Sequence, residues 1–187
     1  MELITVDHLA GLLSLAQEND GKKTMLQSLQ LVSLAKTDAE TLVNDYLSHQ
    51  GPPFSDHTFS PTLQMDGIPV LDEATLPSSP WKRLSMGLSS FLSFRGWFAS
   101  VLTWQKSLNP KSKELLNLLE ISRKHTLAIS SNLASLLGQH DIPAPTSPYV
   151  SPSFKQKVAG YLVCKNYYDW LVQTERDLII VVAESAV

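Results

Sequence analysis

The stretch LTWQKSLNPKSKELLNLLE, residues 102–120, joins two segments of helical apolar spacing through a very short corner. Apolar side chains recur every three or four residues on both sides of the corner, as in amphipathic helices. Asn109-Pro110 places an N-cap residue before a proline that suits the first helical position. Because so short a connection cannot span a bundle, we expect the two helices to be antiparallel neighbours.

Similar signals mark the other helices. Ser79-Pro80 and Ser151-Pro152 repeat the cap-and-proline pattern. Thr24 with Gln27 has the spacing of a capping box for a first helix, with a start one or more turns earlier left open. Glycines at 51 and 138 mark helix ends. The predicted helices span residues 22–50, 80–107, 110–137 and 152–184, and residues 1–20 are expected to be loose.

The links between these helices differ in length. Segments 51–79 and 138–151 are rich in proline and exceed common loop lengths, so each can run the length of a bundle and join parallel helices. The order long, short, long predicts an all-α, long-chain four-helix bundle with up-up-down-down connectivity, as one domain over residues 1–187. The core stripe of the last helix is predicted to comprise Val158, Tyr161, Tyr168, Leu171, Leu178 and Val182.

Composition narrows the functional classes. Of the 187 residues, 43% are hydrophobic and 18% charged, and the formal net charge is -3. The basic residues form no stripe, which disfavours a nucleic-acid partner. The apolar runs Leu84–Phe94 and Leu178–Ala183 are shorter than the roughly 20 residues that a membrane span needs, so no membrane insertion is expected.

The N-terminus and the single cysteine bear on localisation. Cys164 has no partner for an intramolecular disulfide, which mildly favours a reducing compartment. No basic residue precedes the apolar stretch near the N-terminus, and Leu9–Ala16 is only a weak candidate signal peptide. A role outside the cell would therefore require export without a conventional signal peptide, or prior removal of a leader.

Reactive groups do not converge in any familiar motif. The five histidines form no Glu-x-x-His or His-Glu-x-x-His pattern, and there is no Cys-x-x-Cys, phosphate-binding glycine loop or nucleophile elbow. We therefore predict no enzyme activity, no cofactor and no metal site. Cys164 is predicted to be a buried core residue, and His125 with Arg123 and Lys124 a solvated face. The four tryptophans are predicted to be core or half-buried residues, with a lipid cavity as the alternative.

The end of the chain carries a long specific pattern: Phe154-x-x-Lys157-Val158-x-Gly160-x-x-Val163-Cys164-x-x-Tyr167-x-x-Trp170-Leu171-x-x-Thr174-Glu175-x-Asp177-Leu178. Two shorter stretches accompany it, Tyr46-x-x-x-Gln50-Gly51-x-Pro53-Phe54 and Leu108-Asn109-Pro110 followed by Leu115-Leu116. Together they resemble helices A, C and D of the cardiotrophin group of the interleukin-6 family, which includes ciliary neurotrophic factor and LIF. The second helix, most of the link before it and residues 1–20 match poorly.

The resemblance implies a monomeric, leaderless cytokine with growth-factor and neurotrophic activity. Such a ligand assembles the LIF receptor with glycoprotein-130, the family's shared subunit, and triggers JAK/STAT signalling. Phe154 and Lys157 match the Phe-x-x-Lys motif that implies contact with the LIF receptor. The alternative is that Phe154 packs against the start of the helix and Lys157 is a solvated charge.

Other receptor surfaces follow from the same resemblance. Glycoprotein-130 would bind the outward faces of the first and third helices, where the residues opposite the apolar stripes are Gln27, Gln30, Glu120 and Lys124. Trp170 and Asp177 are candidates for an alpha-receptor surface or for purely structural roles. Ciliary neurotrophic factor has a basic residue three positions after this tryptophan, where the present chain has Gln173, and this departure argues against a ciliary-type alpha receptor.

Two other classes stay open on sequence alone. An intracellular helical adaptor would give no response when added outside cells, and a lipid-binding bundle would contain an internal cavity.

Overall fold

The computed structural model describes residues 6–57 and 64–185 and, within them, contains helices and no strands. The helices are α1 (Val6–Tyr46), α2 (Pro80–Leu108), α3 (Lys113–Leu136) and α4 (Ser153–Ser185), with short 3₁₀ turns at Leu47–His49 and Glu73–Thr75. The all-α prediction is confirmed. None of the helices described is both long and apolar enough to cross a membrane.

Two predicted helix starts are wrong. α1 begins at Val6, and the Thr24 hydroxyl donates to the Asp20 carbonyl (2.9 Å) inside the helix instead of capping it. The expectation of a loose segment over residues 1–20 fails for residues 6–20, which are helical; residues 1–5 lie outside the described part. α3 begins at Lys113, three residues after the predicted start. The Asn109 N–H bonds to the Gln105 carbonyl (2.8 Å), so Asn109 belongs to the end of α2. Asn109 is thus the C-cap of α2 and not the N-cap of α3, a position that Ser112 occupies.

Of the remaining boundary signals, those at Ser79-Pro80, Gly51 and Gly138 are confirmed. The cap predicted at Ser151-Pro152 is not, because α4 begins at Ser153 and the Pro152 carbonyl accepts the Gln156 N–H (3.1 Å). α2 begins at Pro80, and the Ser79 hydroxyl accepts the Lys82 N–H at 3.4 Å. Gly51 and Gly138 follow the ends of α1 and α3 and have φ values of 73° and 68°, a region that favours glycine.

The helices pack with the predicted topology. α1 and α2 each contact both α3 and α4. Near the end of α1 the Tyr46 hydroxyl meets the Lys157 carbonyl in the first turns of α4, while Lys36 pairs with Glu175 further along, so α1 and α4 are antiparallel. The C-terminal ends of α1 and α2 meet through Gln50 and Gln105, so these two helices are parallel. The arrangement is up-up-down-down.

An aromatic cluster fills the interface between α2 and α4. The Tyr167 ring lies 4.8 Å from Phe98, 5.7 Å from Phe94 and 6.1 Å from Phe91 between centroids, all in edge-on geometry. The predicted stripe of α4 was therefore partly wrong: Tyr161, Tyr168 and Val182 are only half-buried, whereas Tyr167 is fully buried. A helix packed against two neighbours buries a wider face than one stripe. Cys164 is buried, as predicted.

Candidate functional site

The first turn of α4 presents Phe154 at one tip of the bundle. The side chain is 47% exposed, and its ring lies 5.1 Å from the ring of buried Phe54, at the start of the long link that follows α1. The helix start is held in place because Gln156 donates its side-chain amide to the Val150 carbonyl (2.9 Å) and its N–H to the Pro152 carbonyl (3.1 Å). One side of Phe154 is thus packed, and the rest is open to solvent.

Lys157, one turn further along, is half-buried and bonded. Its ammonium donates to the Gln50 carbonyl at 2.8 Å and lies 5.7 Å from the centre of the Phe54 ring, within cation–π range. The alternative of a simple solvated charge is therefore wrong for Lys157. Phe54, Phe154 and Lys157, which we call the tip cluster, combine an exposed aromatic edge with a cation of fixed position.

A second candidate surface lies along α1 and α3. Gln27, Gln30 and Lys124 are exposed. Glu120 is half-buried and accepts two hydrogen bonds from the Arg123 guanidinium at 2.7 and 2.9 Å, which hold the pKa of this carboxyl below its usual range. Because α1 packs on α3, these residues belong to neighbouring helices, and a single partner could touch both.

Sequence reasoning missed two apolar residues of these helices. Leu34 is 57% exposed and Leu127 is 39% exposed. Leu34 continues the spacing of Gln27 and Gln30, and Leu127 follows Lys124 by three positions, so both share the outward helical register. The sequence could have indicated both residues, because each is an apolar side chain outside the core stripe of its helix. Exposed apolar side chains of this kind are typical of protein interfaces.

His125 departs from its predicted place on a solvated face. Its side chain is 15% exposed, and Nδ1 lies 3.9 Å from a carboxylate oxygen of Asp38 on α1. Burial lowers the pKa of His125, although Asp38 opposes that shift. His125 therefore forms part of the packed seam between α1 and α3.

Trp170 and Asp177 do not form a surface, which corrects their assignment to a receptor contact. Trp170 is 4% exposed, and its indole N–H donates to the Pro69 carbonyl (3.3 Å) in the covering link. Asp177 is 1% exposed and accepts from Arg83 at 2.7 Å. Arg83 in turn donates to the carbonyls of Pro77 and Ser78, so these side chains fasten the end of the link to the bundle.

Comparison with known proteins identifies the family. The sequence model of the plethodontid receptivity factor family matches residues 25–186. Mouse cardiotrophin-2 is 30% identical over 172 residues, covering 84% of this chain and 83% of the relative. Human cardiotrophin-1 is 31% identical over 166 residues, covering 81% and 82%. The chain belongs to the cardiotrophin-like cytokines of the interleukin-6 family. The resemblance noted in the sequence is thereby confirmed, and cardiotrophin-1 and cardiotrophin-2 match it to nearly the same extent.

For this cytokine, the shared region includes both candidate surfaces. Residues 25–186 take in Gln27, Phe154 and Lys157, whereas the first turns of α1 precede the matched region. Within the described residues, no group of three or more His, Cys, Asp or Glu side chains could hold a metal ion.

One cleft of the described surface is open to solvent. It measures about 700 Å³ and lies on the outer side of α2, between Met65–Gly67 and the link that precedes α4. Trp97 lines it but is itself 4% exposed and donates its indole N–H to the Gly67 carbonyl (2.9 Å). This cleft is not the internal cavity that a lipid-binding bundle would contain.

Proposed function

We propose that this cytokine acts outside the cell as a monomeric ligand that joins the LIF receptor to glycoprotein-130 and triggers JAK/STAT signalling. The observation that carries the proposal is the tip cluster. Phe154 stays 47% exposed although it belongs to a well-anchored helix start. An aromatic side chain fixed in this way can be buried by a partner at low entropic cost, and such residues dominate binding hot spots.

Lys157 supplies the electrostatic part of this contact. Its ammonium lies beside the aromatic pair, where it can attract an acidic receptor surface and set the orientation of the encounter. The bond to Gln50 reduces the freedom of the long side chain before binding. Phe154 and Lys157 therefore form the LIF receptor contact in this proposal.

The outward residues of α1 and α3 form the glycoprotein-130 contact. Leu34 and Leu127 would serve as its apolar centre, with Gln27, Gln30 and Lys124 as polar surroundings. Glu120 contributes mainly through Arg123, which it already binds. No alpha-receptor contact is proposed at Trp170 or Asp177, because both are buried.

The test is addition of purified protein to cells that bear glycoprotein-130 with or without the LIF receptor, with STAT phosphorylation as the readout. We expect a response only when both subunits are present. Leu34→Ala with Leu127→Ala should weaken binding to the isolated glycoprotein-130 ectodomain by about 2 kcal/mol and leave LIF receptor binding intact. A response in cells that lack the LIF receptor would contradict the proposal, and no response in either cell line would favour an intracellular adaptor.

A further inference from the structure

A circuit of buried polar groups lies beneath the tip cluster. Gln50 and Gln105 are 1% and 0% exposed, and their side-chain amides bond to each other reciprocally at 2.9 and 3.0 Å. Buried amides must be hydrogen-bonded, and an apolar pair would fill the same space without that requirement. The feature that an amide pair adds is a fixed orientation, since each side chain can satisfy the other in few geometries.

The two glutamines are connected to Lys157 of α4 at two points, one through the Gln105 side chain and one through the Gln50 backbone carbonyl. The Gln105 amide donates to the Tyr46 hydroxyl (3.2 Å), which donates to the Lys157 carbonyl (3.0 Å). The Lys157 ammonium donates to the Gln50 carbonyl (2.8 Å) and closes the circuit. Both the backbone and the side chain of Lys157 are thus tied to the end of α1 and the residues that follow it, through the Tyr46 hydroxyl and the Gln50 backbone carbonyl.

Gly160 makes room for this connection. A Cβ atom at position 160 would overlap the Tyr46 hydroxyl. Tyr46 is 0% exposed and belongs to the end of α1, so it can reach the Lys157 carbonyl only past a residue without a side chain. The close approach of α1 and α4 at this point therefore depends on a glycine.

We infer that Gln50, Gln105 and Tyr46 are positioning residues for the LIF receptor contact: they hold Lys157 and the first turns of α4 in the pose that the receptor binds. The inference rests on the proposed function of the tip cluster. Binding would otherwise have to immobilise the four-carbon side chain of Lys157, at a cost that corresponds to about a three- to tenfold loss of affinity. None of the three residues needs to touch the receptor, since Gln50, Gln105 and Tyr46 are all buried.

The test uses two variants of the full chain. Tyr46→Phe removes only the hydroxyl that joins the amides to Lys157. Gln50→Met with Gln105→Met removes both side-chain amides together, so that neither glutamine is left unpaired, and keeps the Gln50 backbone carbonyl. It also removes both partners of the half-buried Asn109 side chain, so its free energy of unfolding is measured as well. We expect each to lower LIF receptor affinity about three- to tenfold, with glycoprotein-130 affinity unchanged. Ser130→Ala is the matched control, because it removes a buried hydroxyl of α3 that bonds only within its own helix.

A double-mutant cycle separates positioning from general destabilisation. In a Lys157→Ala background the carbonyl that Tyr46 binds is still present, but Tyr46→Phe and the methionine pair should have little further effect, because they act on receptor binding through the position of the Lys157 side chain. An equal loss of LIF receptor affinity in the Lys157→Ala background would overturn the inference, and so would an equal loss in Ser130→Ala. Full affinity in a folded Tyr46→Phe or methionine-pair variant would overturn it as well. If the methionine pair does not fold, the outcome for Tyr46→Phe decides. Phe154→Ala measured alongside distinguishes the failures: normal affinity there refutes the site itself, whereas a loss there alone refutes only the positioning role.

Discussion

The first turns of α4 and its C-terminal half, which we call its two ends, each carry an aromatic residue and a charged one, and their exposure is opposite. At the N-terminal end, Phe154 is 47% exposed and Lys157 is half-buried, with its ammonium bonded to the Gln50 backbone carbonyl. Towards the C-terminal end, Trp170 and Asp177 are 4% and 1% exposed. The long link after α1 makes the difference: it begins beside Phe154, where the Phe54 ring packs, whereas its later part, including Pro69 and Ile68, packs over the bundle.

The comparison teaches that residue type alone does not separate a binding side chain from a structural one. An aromatic residue under a covering segment contributes to stability, and one at the edge of that segment is available to a partner. The predictions below test whether the two ends of α4 have these separate roles.

The segment of α4 around Cys164, between the two ends, should be firmly packed and inaccessible to solvent. Cys164 is 0% exposed, and burial also raises the pKa of its thiol, so reactive thiolate is scarce. We expect labelling of Cys164 by a thiol reagent to be at least about 1000-fold slower in the native protein than in denaturant, because the reaction requires opening of the core. Rapid native labelling would show that the helix is loosely packed between the two ends.

Asp177→Ala should destabilise the protein much more than Phe154→Ala, which would show that the C-terminal end of α4 has the structural role. The Arg83–Asp177 pair is largely buried, with side-chain exposures of 15% and 1%. Removing one partner leaves a poorly solvated charge, and we expect chemical denaturation to show a loss of about 3 kcal/mol in the free energy of unfolding. Phe154→Ala should cost no more than about 1 kcal/mol.

The double variant Arg83→Met with Asp177→Leu is the control for this prediction, because it removes both charges and should recover most of the stability. If Asp177→Ala were neutral in stability and instead altered binding of a receptor, the C-terminal end would be a contact surface after all.

The contrast between the two ends of α4 depends on contacts between distant parts of the chain, which the sequence alone does not show. The helix order and topology were predictable because prolines, glycines and apolar spacing are local signals. Trp170 was predicted to be core or half-buried, but the segment that covers it was not predictable, since its partner Pro69 lies about a hundred positions earlier in the chain. The same holds for Lys157, whose partner carbonyl belongs to Gln50. Phe154 and Lys157 were found through family resemblance, and the exposed Leu34 and Leu127 could have been found as apolar residues outside the core stripes.

Lys157→Ala should give a smaller and mixed effect. Loss of the bond to the Gln50 carbonyl is expected to lower the free energy of unfolding by about 1 kcal/mol. At low salt the variant should associate with the LIF receptor more slowly than wild type. This difference should shrink at higher salt, because salt screens the charge. Kinetic binding measurements at two ionic strengths check this, and a deficit that is independent of salt would count against an electrostatic role.

The smallest expected effect concerns pH and the C-terminal half of α4. Hydrogen bonds from Lys36 and Ser33 lower the pKa of Glu175 below its usual value. A carboxyl with a depressed folded-state pKa stabilises the protein above its unfolded pKa of about 4.3, and this contribution is lost as pH falls through the folded value. Glu175→Gln should therefore cost about 0.5–1 kcal/mol at pH 7 and much less at pH 2. An equal cost at both pH values would contradict the ionic role.

The most direct test of the different roles of the two ends is binding of folded Phe154→Ala to the isolated LIF receptor and glycoprotein-130 ectodomains. Ile179→Ala is the matched control, since Ile179 is a 51% exposed apolar residue near the other end of the same helix. We predict that Phe154→Ala weakens LIF receptor binding by about 2 kcal/mol or more and leaves glycoprotein-130 binding unchanged, while Ile179→Ala affects neither. Full LIF receptor affinity in folded Phe154→Ala would contradict the assignment of the tip as the receptor contact.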